Sequence, residues 1–448
     1  MFDLVIRNGR LVSPDATTPG TIGISGSSIA AIAPAGEQIV GANEIDATGM
    51  LILPGLVDAH VHIPGFLLSS RLDDFTSASK AAAAGGVTTV LLMPTDDPRT
   101  ATPFYFEQKR DSGIGRSYID YALQAIVGPM SESIDDLAAL GAVSFELFLA
   151  YGGMPNFIIG NDDYELARTL RLIRDVGGIA GITPHSPSLI ARLTAEHRDD
   201  PDPTVATIAA TRSILSEALG IARACTAAAD TGAQIHIRAV SSRQSLDLIR
   251  RFKDLAALIS EVMSHHLLFD AEDAKRMGAY GVITPPLRHA SERAALQDAV
   301  RAGEIDMVVS DHSPHLREDK ERGQADIWTA PPGMTGLQTL CASMLALIDD
   351  GKLTLQDMVR TCCENPARWF RLYPRKGTLR SGADADIVIL NPSQPTLISD
   401  SDQHSKADYT TLAGRKISAR IERVLLRGQT IFADGGFPSA PTGRFVRP

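Results

Sequence analysis

The sequence predicts an α/β protein: a closed (β/α)8 barrel of the TIM type, with a small β-sandwich lobe built from its two ends. Three observations carry this. Short apolar strand candidates alternate with helical stretches through the middle of the chain, making eight units, the count a closed parallel barrel needs. The first and last stretches read instead as strands and turns. Metal-capable side chains fall at the carboxyl ends of several of the eight strands, where barrels of this kind place their chemistry.

Taken in order, residues 1–52 are short strands. Leu4-Val-Ile6 is followed by Asn8-Gly9, a hairpin signal, and the run from Ile22 to Ile32 is broken by Gly23 and Gly26. The first barrel strand ends Leu53-Pro-Gly-Leu-Val-Asp-Ala-His-Val-His62. A helix over 78–84 stops at Gly85-Gly86, and 87–93 reads as a buried strand. The remaining strands are 121–127, 143–149, 179–183, 234–240, 257–263 and 307–311, with helices over 163–175, 218–229, 244–253 and 291–302. Strand texture returns at 386–390, 421–428 and 430–432. Chain ends often lie close together, so 1–52 and 377–448 are expected to form one domain beside a barrel of 53–376.

Composition narrows the function. The chain has 448 residues, 44% hydrophobic and 21% charged, with a net charge of −10. An acidic surface with two tryptophans and eight tyrosines disfavours nucleic acid and anionic membranes as partners. No apolar run approaches the ~20 residues that span a bilayer, and the N-terminus lacks a signal-peptide layout. Four cysteines without a Cys-x-x-Cys pair read as reduced thiols of a cytoplasmic protein.

His60 and His62, two apart on a strand, face the same way, as a divalent metal requires. Glu146 with Tyr151 close behind it, His185, His236, His265 and Asp311 follow at later strand ends. A carboxylate after the apolar Met307-Val-Val-Ser310 is costly unless paired or metal-bound. A helix cap for the segment from Ser313 is the simple alternative, and the company of the other strand ends favours ligation.

Pro54-Gly-Leu-Val-Asp-Ala-His-Val-His62, Ala82-Ala-Ala-Gly-Gly-Val-Thr-Thr89, Val309-Ser-Asp-His-Ser-Pro-His315, Asn365-Pro-Ala367 and Gly377-Thr-Leu-Arg-Ser-Gly-Ala-Asp-Ala-Asp386 together resemble the cyclic amidohydrolases: dihydroorotases, allantoinases and dihydropyrimidinases (hydantoinases). The likeness spans nearly the whole chain, and 303–314 leans toward the allantoinase branch. It implies a metal-dependent hydrolase of small cyclic amides, commonly a homodimer or homotetramer. It also implies an oxyanion contact for Tyr151, a place beside the ligands for His265, a substrate-side place for His315, and a structural role for Asp58 in holding a histidine tautomer.

Two positions depart from the family. Its metal-bridging carbamylated lysine is Glu146 here, which reaches roughly 3–4 Å less and falls short of a metal from an unchanged backbone. Its strand-six histidine is Ala239; His236, three positions earlier, is expected on the opposite face, between barrel and helices. His60, His62, His185 and Asp311 remain, a set suited to one zinc ion plus water, favoured over two ions bridged by Glu146. Ile63-Pro64-Gly65, Thr95 and Thr284 stand where dihydroorotases carry substrate contacts, which argues against dihydroorotate. Phe66, Leu67 and Leu68 point to a less polar ring. The expected activity is opening of a hydantoin, ureide or lactam ring, with Asp311 as general base and then acid. The alternatives are a single-metal deaminase and a non-catalytic relative.

Overall fold

The computed structural model describes residues 1–64, 72–129, 133–150 and 155–448. In chain order the strands are β1 (Phe2–Val12), β2 (Thr17–Ser25), β3 (Ser28–Pro34), β4 (Gly41–Asp46), β5 (Leu51–Pro54), β6 (Leu56–Val61), β7 (Val87–Leu92), β8 (Asp120–Leu123), β9 (Ala125–Ile126), β10 (Phe145–Phe148), β11 (Ile179–Thr183), β12 (Gln234–Ile237), β13 (Leu258–Met263) and β14 (Met307–Val309). After these come β15 (Ile387–Asn391), β16 (Thr396–Leu397), β17 (Lys416–Ile417), β18 (Arg420–Leu426) and β19 (Gln429–Ala433).

Strands β6 to β14 form the barrel, and every pairing among them is parallel. β8 and β9 make one barrel strand interrupted at Gln124, whose amide donates to the carbonyls of Ala59 and Leu91. Period-2 alternation sorts the strands into two cores. Leu56, Val61, Leu92, Leu147 and Ile182 face the surrounding helices. Val57, Ala59, Leu91, Ile259 and Met307 face inward, where Phe370, Leu372 and Val446 join them. The helix expected at 78–84 is Phe75–Ala84, capped by the Asp74 carboxylate and ended at Gly85.

The seam between β6 and β14 is held by His312. Its backbone bridges Val61 and accepts the His62 amide at 2.9 Å. Its ring lies with Nε2 2.9 Å from Asp73 Oδ2, while Nδ1 accepts the Gly336 amide. Asp73 also accepts from the Ser405 hydroxyl and the Lys406 amide, which ties the seam to the C-terminal segment.

Both ends of the chain share one eight-stranded sheet, in the order β19-β18-β15-β5-β1-β2-β3 with β4 on β1. β5 is the junction, parallel to β1 and antiparallel to β15. Asn8-Gly9 is not the predicted hairpin. β1 runs unbroken through it, with Asn8 at φ 60° and a register shift between Ile6 and Gly9. Asparagine tolerates this left-handed conformation, so the pair makes a bulge. The apolar content of the helical stretch Val205–Thr231, long and apolar enough by composition to cross a bilayer, also exceeds what the sequence reading allowed for. Ile221, Ala224, Cys225 and Ala228 of that stretch pack into the barrel core, which accounts for its composition.

A buried knot joins sheet to barrel. Lys376 Nζ sits 2.5, 2.9 and 2.7 Å from carboxylates of Asp120, Asp384 and Asp386, and Arg427 also pairs with Asp120. The ammonium fills the space among the three carboxylates. Removing one partner of such a group leaves uncompensated buried charge, at a cost of about 3–5 kcal/mol. Lys376→Met is expected to lose stability on that scale, read as a shift in the denaturant midpoint.

Candidate metal centre

His60 and His62 leave the end of β6 on the same side and meet Asp311, two residues beyond β14. Asp311 Oδ1 lies 3.2 Å from His60 Nε2 and 3.3 Å from His62 Nε2. Ligand atoms of the three lie within 4.8 Å of one another, the grouping a metal ion needs. Asp311 stands at φ 44°, a conformation that costs most residues energy but suits aspartate better than most. Burial pushes its carboxyl up, but His60, His62 and His265 outweigh that and hold it below its ordinary value.

Each imidazole is fixed from behind, which leaves its Nε2 for an ion. His60 Nδ1 is 2.5 Å from Glu261 Oε1. His62 Nδ1 is 2.8 Å from Thr95 Oγ1, on the loop after β7. That loop is anchored by the buried Lys109 ammonium, which bonds the Met93 carbonyl at 2.7 Å and pairs with Asp96. Glu261 is the functional residue the sequence reading passed over. The signal was present: one charge inside the apolar β13, a costly placement without a partner. Burial raises its pKa, yet His60, Arg238 and His236 pull it well below the ordinary range.

Glu146 lies outside the three-residue grouping. Its carboxylate accepts from Arg238 Nε at 2.9 Å and from the Thr183 hydroxyl at 2.7 Å, so a guanidinium takes the place of the expected ion contact. Arg238 continues to Glu261 Oε2 at 3.2 Å and to the Gln124 side-chain oxygen. His236 does not pack between barrel and helices. β12 ends at Ile237 and Ala239 turns at φ 51°, which breaks the alternation assumed for 236–239. His236 therefore faces the interior, 3.1 Å from Glu261 Oε2 and edge-on to Phe370.

His185 lines the same cavity as His60, His62 and Asp311, but it is not part of the three-residue grouping. Its Nδ1 has no hydrogen-bond partner, and burial pulls its pKa down to about 4. Asp58 does not hold a histidine tautomer. Its carboxylate accepts the backbone amides of Ser310 and His60, and burial pushes it up to about 6. His265 is buried close enough to feel the Asp311 charge, and burial lowers it to about 3. His315 Nε2 bonds the Pro332 carbonyl at 3.0 Å on the cavity wall. Tyr151, and Gly65, Phe66, Leu67 and Leu68 at the expected mouth, lie outside the described residues.

The cavity has a volume of about 330 Å³, the size of a small-molecule site. Met93, Phe148, Pro184, Met263 and Pro285 give it apolar walls; Arg99, Thr284, Ser313 and His315 give polar ones. A (β/α)8 barrel with two imidazoles and a carboxylate converging at its carboxyl-terminal mouth defines a metal-dependent hydrolase class.

Residues 51–431 match the amidohydrolase family, and the chain belongs to that family. It is 31% identical to the L-hydantoinase of Paenarthrobacter aurescens over 440 residues, covering 97% of this chain and 95% of that protein. It is 32% identical to the allantoinase of Rubrobacter xylanophilus over 460 residues, covering 100% of this chain and 98% of that one. The solved L-hydantoinase (dihydropyrimidinase) from Arthrobacter aurescens superposes with a TM-score of 0.96 at 30% identity, covering 100% of both chains. The family is metal-dependent, and this chain carries a residue grouping suited to an ion.

Glu261→Gln, which weakens the support behind His60, is expected to lower metal affinity by about 10- to 100-fold, measured by competition with a chelating dye. The neutral buried histidines set a pH dependence in metal-free protein. His185, His265 and His266 are pulled by burial to about 4, 3 and 4, whereas an unfolded histidine titrates near ~6.5. The unfolded chain therefore binds more protons between those values, and stability present above ~6.5 is lost as pH falls toward about 4. Thermal melting in a chelator should show that loss, with a shallower slope in His266→Asn.

Proposed function

We propose that this protein is a hydrolase that opens a small cyclic amide or imide of the hydantoin, ureide or lactam type. It works with one divalent ion, zinc, held by His60, His62 and Asp311. The observation that carries this is the convergence of both Nε2 atoms on Asp311 Oδ1, with each Nδ1 already occupied. Two imidazoles and a carboxylate suit zinc, with positions left for water.

An ion held by His60, His62 and Asp311 would supply Lewis-acid polarisation and make a water acidic at neutral pH. Asp311 would take a proton from the attacking water as that water's oxygen bonds to the carbonyl carbon. When the carbon–nitrogen bond breaks, Asp311 returns the proton to the departing ring nitrogen, and the product is an open-chain acid. Glu261, which can only accept, keeps His60 in the tautomer that leaves Nε2 without a proton, and Thr95 holds the His62 ring at Nδ1. His185, which lines the cavity and is kept neutral by burial, offers its imidazole as a contact to the ring. Altered positions 63–65, Thr95 and Thr284 argue against dihydroorotate; Thr95 is engaged by His62. The four cysteines are free and buried, which supports a reducing, cytoplasmic setting.

Asp311→Asn is expected to lower kcat by at least 100-fold on a hydantoin or ureide ring, by removing the proton carrier. A fully active variant would exclude the role. Product analysis decides the chemistry: a ring-opened acid supports the proposal, whereas free ammonia points to a deaminase. Absence of bound metal in the purified protein would favour a non-catalytic relative.

A further inference from the structure

The charges linked through Arg238 carry a second conclusion, which rests on reading this site as a metal centre. Among the described residues, three carboxylates, Glu146, Glu261 and Asp311, belong to one buried network with a single guanidinium, Arg238. Three negative charges and one positive leave −2, which one divalent ion cancels. Asp58 stands apart from the guanidinium; its carboxylate is held by the backbone amides of His60 and Ser310. A second divalent ion would leave the network at +2 among largely buried side chains, where unbalanced charge is costly.

Arg238 is placed to act as that network's fixed cation. It is 1% exposed yet borders the cavity. Nε donates to Glu146, Nη1 to Glu261 and weakly to the Ala59 carbonyl, and Nη2 to Gln124. The neighbouring strand leaves space for it: a Cβ at Gly181 would fall 2.3 Å from Glu146 Oε2 and 2.9 Å from Arg238 Nη2. Glu261 in turn joins Arg238 directly to His60.

We propose that Arg238 is the built-in second cation of the site: its fixed charge limits the protein to one divalent ion per chain. It also positions His60 through Glu261. The test is a count of bound Co(II) or Zn(II) after saturation and desalting, with affinity from chelator competition and circular dichroism as the check on folding. Wild type should hold one equivalent. Arg238→Met, with the network at −3, should approach two. Arg238→Met combined with Glu146→Gln restores −2 and should return to one. Glu146→Gln alone, at −1, should bind its ion at least tenfold more weakly than wild type.

Two equivalents in wild type would overturn the proposal, as would a folded Arg238→Met that keeps one ion at unchanged affinity. A folded Arg238→Met that loses metal altogether would make the residue a brace and would also overturn it. If Arg238→Met does not fold, Glu146→Gln decides: unchanged affinity sinks the idea. Failure here is separable from failure of the hydrolase reading. One ion in wild type without turnover of any ring leaves Arg238 in its role, whereas no metal in wild type removes both.

Discussion

Arg238 lies almost wholly out of solvent, between Glu146 on β10 and Glu261 on β13. Buried charges survive only when their partners are close and their hydrogen bonds are met, and here the partners come from separate strands. The pairing therefore constrains the geometry of the barrel mouth as well as its charge. Glu261 reaches from the guanidinium to His60, so the ring that would ligate an ion is oriented by a residue two strands away from it in the barrel wall. The centre is preorganised from below, by interior contacts, whereas the far side of the cavity is lined by loops.

The barrel's other fixed points serve the same end. His312 closes the gap between the first and last barrel strands and is adjacent in sequence to Asp311, so the closure places the carboxylate opposite the two imidazoles. Lys376 binds the terminal sheet to the start of β8. Gln124 interrupts the third barrel strand, but its side chain bonds the first and second strands and accepts from both Arg238 and Ser144. Irregularities in the strands coincide with polar contacts that the site uses.

Much of this was legible in the sequence, and the parts that were not have physical reasons. Eight strand–helix alternations, the two-residue spacing of His60 and His62, and the costly carboxylate after β14 were enough for the barrel and for three residues of its centre. His236 was misplaced because alternation was carried through Ala239, where the backbone turns left-handed. Asn8-Gly9 supports either a hairpin or a bulge, and only the neighbouring strands decide. Asp58 and Glu261 are both lone carboxylates in apolar strands. Which one reaches a histidine depends on strand order across the barrel, and that is not a local property. Glu146 was recognised as short for a metal, but its actual partner lies 92 positions later in the chain.

The bare backbone at Gly181 has an evolutionary corollary. Positions 146, 181 and 238 come from three adjacent strands and fill one another's space. A larger residue at 181 has nowhere to go while the other two persist, and losing either of them opens a void beside an uncovered chain. Such a trio is inherited or abandoned as a unit, so descendants of this sequence should carry all three or none.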